Sequence, residues 1–290
     1  MKRVLSSAGL IVALASSAEG AHRSDLREMR QEERSMTFEV GATGSQLAID
    51  NLFGSIRVRG GSTDAIEVTL VKSVFARDPE ALREAIDEVE LKVTHRGQLV
   101  DLYVDGPFRA PHRQQRWRRL PDLHYRVVYD FEALVPPSTS LTLKTVDGGD
   151  LTVARVAGAF DIANVNGGVH MERVAGSGSV STVNGPVRVS FTRNPELGSR
   201  FETVNGDVEI DFQPGLSADL SMQSTFGHLW ADFDVRPLPS PPPTETTRDG
   251  LRVIHVSGAA RVRTGDGGPT LEFETMNGDV LLRSRSSPSS

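Results

Sequence analysis

The chain has 290 residues, of which 38% are apolar and only 6% aromatic, with 27 glycines and 16 prolines. That mixture suits many short strands and tight turns better than a helical bundle. A formal net charge of −6 speaks against bulk attraction to nucleic acid. The absence of cysteine excludes structural disulfides, thiolate metal sites, a cysteine nucleophile and a lipid-modified N-terminal cysteine.

In chain order, Lys2 and Arg3 precede a mostly apolar run, Val4 to Ala15, and then small residues. This pattern predicts a signal peptide over residues 1–21, cut after Ala18 or Ala21. The run of about 12 residues is too short for the ~20 that span a bilayer. No second run of that length follows, so the mature chain is expected without a transmembrane segment, in the periplasm, at the cell surface or outside the cell. Residues 22–35 are expected to be flexible. Phe38 and Val40, Leu47 and Ile49, Ile56 and Val58, and Ile66, Val68 and Leu70 alternate as strands do, with Asn51–Gly54 as a divergent corner between two of them. A helix follows. Asp78 can cap it, Pro79 takes its first position, and Leu82, Ala85, Ile86 and Val89 share one face, which reads as a cover on a sheet. Strands return at 91–93, 99–104 and 125–134.

From residue 140 one unit repeats. Val-Asp-Gly stands at 146–148, Val-Asn-Gly at 165–167, 183–185 and 204–206, a degenerate Thr-Phe-Gly at 225–227, and Met-Asn-Gly at 276–278. The glycines Gly148, Gly167, Gly185, Gly206 and Gly227 are 19, 18, 21 and 21 residues apart; Gly278 lies 51 further on, so an insertion or poorly marked repeats intervene. Each corner leads into an alternating apolar pair, such as Val187 and Val189 or Val208 and Ile210. Val-Ala-Gly at 156–158 and 174–176 marks a second corner midway. Asn166, Asn184, Asn205 and Asn277 fit corners because Asn tolerates positive φ and its amide can bond to a stacked neighbour. Two folds use this chemistry: an antiparallel meander of Asn-Gly hairpins, or a parallel β-solenoid with Asn-Gly corners in a ladder. The repeated spacing with the apolar phase kept favours the all-β solenoid of two-strand rungs.

Three stretches carry a resemblance: LAIDNLFGSIRV at 47–58 with the strand after it, LVPPSTSLTLKTVDGGDLTV at 134–153, and GDGGPTLEFETMNGDVLL at 265–282. Their order resembles the bacterial putative-adhesin family of β-strand-repeat proteins, a domain of unknown function. The resemblance spans roughly residues 36–284. It implies a β-helix-like fold, a cell-envelope or surface setting and no catalytic residues. The chain is then expected as one elongated domain, with a looser part at 36–135 and regular repeats at 136–284, followed by a Ser-rich, disordered tail at 285–290; no cofactor is expected.

Candidate chemistry is sparse. The seven histidines form no H-E-x-x-H or other close ligand pair, and no G-x-S-x-G elbow occurs. Asp147, Asp150, Asp207, Asp211 and Asp279 near corners lack a regular calcium-binding repeat. Glu172, Arg188, Glu209 and Asp232 are what any solvated strand face carries. The local anomaly is arginine: Arg109, Arg113, Arg116, Arg118, Arg119 and Arg126, with Trp117 among them and Asp122 as the one acid. Guanidinium forks suit phosphate or carboxylate oxygens, so residues 109–119 are a candidate patch for an anionic envelope polymer or another envelope protein. The expectation is a non-enzymatic scaffold or binding module; the alternatives are a β-helix carbohydrate-active enzyme or, by family analogy, an envelope-stress signalling component. The Pro-rich stretch 238–243 is expected to loop out, with Val253, Ile254 and Val256 rejoining the wall.

Overall fold

The computed structural model describes residues 6–9, 26–109, 123–239, 244–248, 251–255 and 258–285. The predicted signal peptide lies outside them except for Ser6–Gly9, a strand paired antiparallel with Glu33–Met36. The chain divides into two compact units, with the break between Thr152 and Val153.

The second unit is a stack of parallel rungs. Val169–Val174, Val187–Phe191, Val208–Phe212, Val280–Ser284 and Leu229–Ala231 form one sheet in that spatial order, each strand parallel to the next. Phe160–Ala163, Gly178–Ser181, Ser199–Asn205, Thr270–Asn277 and Ala218–Phe226 form the facing sheet, again parallel. The solenoid reading therefore holds over the hairpin meander. The predicted inward pairs Val169 and Met171, Val187 and Val189, Val208 and Ile210, and Val280 and Leu282 are all buried. Between the sheets, rings continue from rung to rung: Phe191 stacks on Phe212 at 5.7 Å, Phe201 on Phe273 at 5.6 Å, and Phe212 meets Phe273 edge-on at 6.3 Å.

The corners explain the motif. Amide Nδ2 of Asn184 donates to Oδ1 of Asn166, Asn205 to Asn184 and Asn277 to Asn205, at 2.8, 2.8 and 2.7 Å. Beside this ladder, the hydroxyls of Thr182, Thr203 and Thr275 donate to the carbonyls of Gly167, Gly185 and Gly206, each at 2.8 Å. Neighbouring rungs come so close that a Cβ on Gly206 would lie 2.2 Å from the Gly185 carbonyl oxygen.

The 51-residue gap hides a change of order. The last rung, Thr270–Ser284, is not at the end of the stack but lies between the rung of Ser199–Phe212 and that of Ala218–Ala231. The chain returns to it through Ala260–Thr264, antiparallel to Ala218–Met222. Val253 and Ile254 do not rejoin the wall. They belong to Leu251–His255, which pairs with Thr244–Arg248 in a separate ribbon. Hairpin pairing satisfies their backbone locally, so apolar alternation there marks a ribbon and not a rung. Residues 240–243 of the Pro-rich stretch lie outside the described residues.

The first unit mixes directions. Arg27–Glu39, Ala65–Ala76 and Tyr125–Val135 form a long antiparallel ribbon, and Ile56–Gly60 runs parallel to the last of them. Residues 27–35, expected to be flexible, are strand; eight register pairs with Ala65–Ala76 hold a segment too charged to read as one. A second sheet holds Gln46–Asp50 between Leu99–Asp105 and Ser140–Lys144, both parallel to it, with Glu90–Arg96 antiparallel at its edge. The described residues contain one α-helix, Pro79–Glu88, which packs on the ribbon through buried Ala81 and Ala85. Asp78 caps it by accepting from the N–H groups of Glu80 and Ala81. The bond from Ala81 first, and then one from Arg77 Nε at 3.2 Å, hold its carboxyl below the usual aspartate range.

Two outcomes follow in solution. Asn205→Ala removes two side-chain bonds and is expected to cost about 1–2 kcal/mol in urea unfolding. Gly206→Ala sets a Cβ against an immovable backbone oxygen and should cost about 3 kcal/mol; a neutral Gly206→Ala would show that the close approach imposes nothing. Because Asp78 has a lowered folded pKa, its contribution is present above the ordinary carboxyl range and lost as pH falls through the folded value. The Tm of the native chain should therefore fall more steeply below pH ~4 than that of Asp78→Asn, whose cap does not titrate.

Candidate functional site

Residues 110–122 lie outside the described residues, and the chain on either side of them is anchored. The first anchor is Arg109, at the end of the 3-10 turn Pro107–Arg109. Its Nε donates to the Val104 carbonyl at 2.9 Å and its Nη2 to the Asp50 carbonyl at 3.1 Å. Its Nη1 pairs with Asp50 Oδ1 at 2.8 Å, and the guanidinium lies 4.6 Å from the Tyr103 ring centroid. The second anchor is at 124–126. Arg77 N donates to the His124 carbonyl at 3.0 Å. Arg126 pairs with Asp147 Oδ2 at 3.2 Å and covers the Phe53 ring at 4.6 Å. Phe53 meets Phe108 edge-to-face at 6.0 Å. Both anchors thus converge on the Asn51–Gly54 corner. Buried Asn51 donates there to the Tyr129 carbonyl at 2.8 Å, and Thr145 donates to the Gly54 carbonyl at 3.0 Å.

The arginines separate into two kinds. Arg109, predicted as part of the patch, is three-quarters enclosed or more and bound on every face; it is part of the frame, and so is Arg126. Arg113, Arg116, Trp117, Arg118 and Arg119 lie outside the described residues. In the sequence these four arginines face only Asp122.

The other predicted positions are accounted for. Gly148, at φ 87°, turns beside Arg126 and Gly54. Asn166, Gly167, Asn184, Gly185, Asn205, Gly206, Asn277 and Gly278 build the corner ladder. Arg188 pairs with Glu209 at 2.8 Å, Arg283 reaches the same Glu209 at 3.3 Å, and Asp232 accepts from the Ser284 N–H at 2.7 Å. No group of His, Asp and Glu among the described residues could hold a metal ion, and no described helix is long and apolar enough to cross a membrane.

One surface went unmarked in the sequence. Where the asparagine ladder stops, Phe226 stands in the next rung opposite Asn277 and is 71% exposed, with Trp230 beyond it at 57%. The Phe in the degenerate Thr-Phe-Gly copy was the signal.

No family model matches the chain, and no curated protein matches it. Solved structures do resemble it. A putative cell adhesion protein from Clostridium sporogenes covers 88% of this chain and 100% of its own at 9% identity, with a TM-score of 0.46. A putative adhesin from Bacteroides fragilis covers 87% and 97% at 8% identity, with a TM-score of 0.38. A putative lipid binding protein from Parabacteroides distasonis covers 87% and 97% at 6% identity, with a TM-score of 0.24.

Arg109→Lys keeps the charge but loses the planar fork and the stacking on Tyr103. It is expected to destabilise the chain by about 1–2 kcal/mol in urea unfolding. Arg57→Lys, whose pair with Glu132 is exposed and 3.6 Å long, should change stability by less than ~0.5 kcal/mol.

Proposed function

We propose that this chain is an exported, non-enzymatic envelope or surface module of the adhesin kind, and that its segment 110–122 binds an anionic envelope polymer. The observation that supports this reading is the division of labour among the arginines. Arg109 and Arg126 are neutralised by Asp50 and Asp147 and fix the ends of the segment. The sequence between them carries Arg113, Arg116, Arg118 and Arg119 against Asp122 on a chain that is acidic as a whole. Such a local excess attracts phosphate and carboxylate groups while the rest of the surface repels them. Trp117 adds a flat apolar face for a sugar ring.

The signal-like start at residues 1–21 supports delivery to the periplasm or the surface. A stack whose corner side chains are engaged in holding rungs together supports a scaffold that presents a binding segment.

The test is retention on immobilised phosphorylated lipopolysaccharide. Arg116, Arg118 and Arg119 changed together to Ser should lose most of the retention at low salt and flatten its salt dependence, with the unfolding midpoint unchanged. Unaltered retention and salt dependence would remove the segment from the binding surface.

A further inference from the structure

The helix Pro79–Glu88 does more than cover a sheet face. Between its last turn and the ribbon lies a cavity of about 490 Å³, within the range that small-molecule sites occupy. Leu70, Ile86, Val89 and Leu91 give it apolar walls, and Lys72 and Tyr129 reach it from the sheet. Register explains the placement. Lys72 pairs laterally with Glu32 on one side and Tyr129 on the other, so the three share one row across the helix-covered face.

The polar groups of that row are incompletely satisfied. Lys72 Nζ donates to the Val89 carbonyl at 3.0 Å and sits 5.6 Å from the Tyr129 ring centroid. It has no carboxylate within ion-pair distance among the described residues. An ammonium has three donors, so two remain. Tyr129 is 2% exposed, yet its hydroxyl bonds to no described residue. The oxygen is not sealed from solvent, so it is free to donate to a group that enters the cavity.

The charged residues around the cavity are Glu32, Glu33, Glu90, Arg34 and Lys72, and they are engaged differently. Glu32 is paired with Arg30, and Glu90 pairs with Lys92 at 3.5 Å. Glu33 and Arg34 are exposed neighbours of opposite charge on the strand Arg27–Glu39. Lys72 feels Glu32 beside it but touches no carboxylate among the described residues, so its ammonium still has donors for a group in the cavity. Burial disfavours its ammonium and lowers its pKa, with Glu32 opposing that. Burial, then the charges of Glu32 and Glu90, raise the pKa of Tyr129 and keep its hydroxyl a donor.

We infer that this cavity binds an amphiphile with a single compact anionic head. The head accepts hydrogen bonds from Lys72 Nζ and Tyr129 Oη, and an aliphatic body lies along Leu70, Ile86, Val89 and Leu91. None of the described residues that line the cavity is among the anchors of the proposed binding segment, and neither reading depends on the other.

Calorimetric titration of the full chain tests it, with decanoate and decyl phosphate as the anionic probes. Decanol, decyltrimethylammonium and inorganic phosphate are the controls. At least one anionic probe should bind more tightly than all three controls. Lys72→Met should weaken it ~10-fold or more and Tyr129→Phe several-fold, since a hydrogen bond to a charged group is worth that much. Leu91→Trp, which fills the cavity while leaving Lys72 in place, should abolish binding; it and Tyr129→Phe carry the test should Lys72→Met fail to fold. Equal binding of the cationic probe, equal binding of inorganic phosphate, affinity unmoved by these substitutions, or no binding of either anionic probe would each overturn the inference.

Discussion

Everything regular in the second unit depends on how closely one corner glycine approaches the next. A Cβ at Gly185, Gly206 or Gly278 would fall 2.4, 2.2 or 2.0 Å from the carbonyl oxygen of the glycine one rung away. Only a residue without a side chain permits that distance. The same carbonyl accepts a threonine hydroxyl, and the asparagine beside it bonds to its counterpart. Position along the strand is thereby fixed at each corner. With side chains alternating at a period of two, fixing the corner decides which residues face inward. The phenylalanine stack through Phe191, Phe212, Phe201 and Phe273 is a downstream result of corner geometry.

The corners use asparagine in two ways. Asn166, Asn184, Asn205 and Asn277 bond to one another near the surface. Asn51 and Asn164 are buried, and each holds its own corner, donating to the Gly54 and Gly168 carbonyls and accepting from the next residue's N–H. Asn51 also donates to the Tyr129 carbonyl and so ties its corner to the long ribbon. That ribbon in turn gives the helix a face to rest on. It also places Lys72 where its alternation points under the helix rather than into water.

Much of this was legible in the residues. Apolar alternation located the rungs, and Asp78-Pro79 located the helix start, because both signals are local. Spatial order was not legible, since a spacing of 51 residues is silent about which neighbours the last rung separates. Nor were Arg155 and Arg173, which take left-handed φ values of 59° and 53° just ahead of the second corners, whereas the positive φ of Gly176, 95°, was expected from its motif. Stacking constrains those backbones from outside, and no local preference announces it. In the candidate site, the arginine run was visible but its division was not. Arg109 and Arg126 look like their neighbours until Asp50 and Asp147 are brought beside them by the fold. Lys72 gave no sign at all, because a lysine between Val71 and Ser73 in an alternating strand reads as a solvated position.

The placement of the last rung has a consequence for how the molecule is made. Chains are synthesised from the N-terminus, and early segments begin to fold as they emerge. Here the strand Ser199–Asn205 has Gly178–Ser181 beside it from the start, but it cannot meet its neighbour on the other side until Thr270–Asn277 arrives, and Ala218–Phe226 must leave room for it. The rung of Thr270–Ser284 thus enters between two rungs made before it, and the place it takes has to stay open while the residues from 232 to 269 are made.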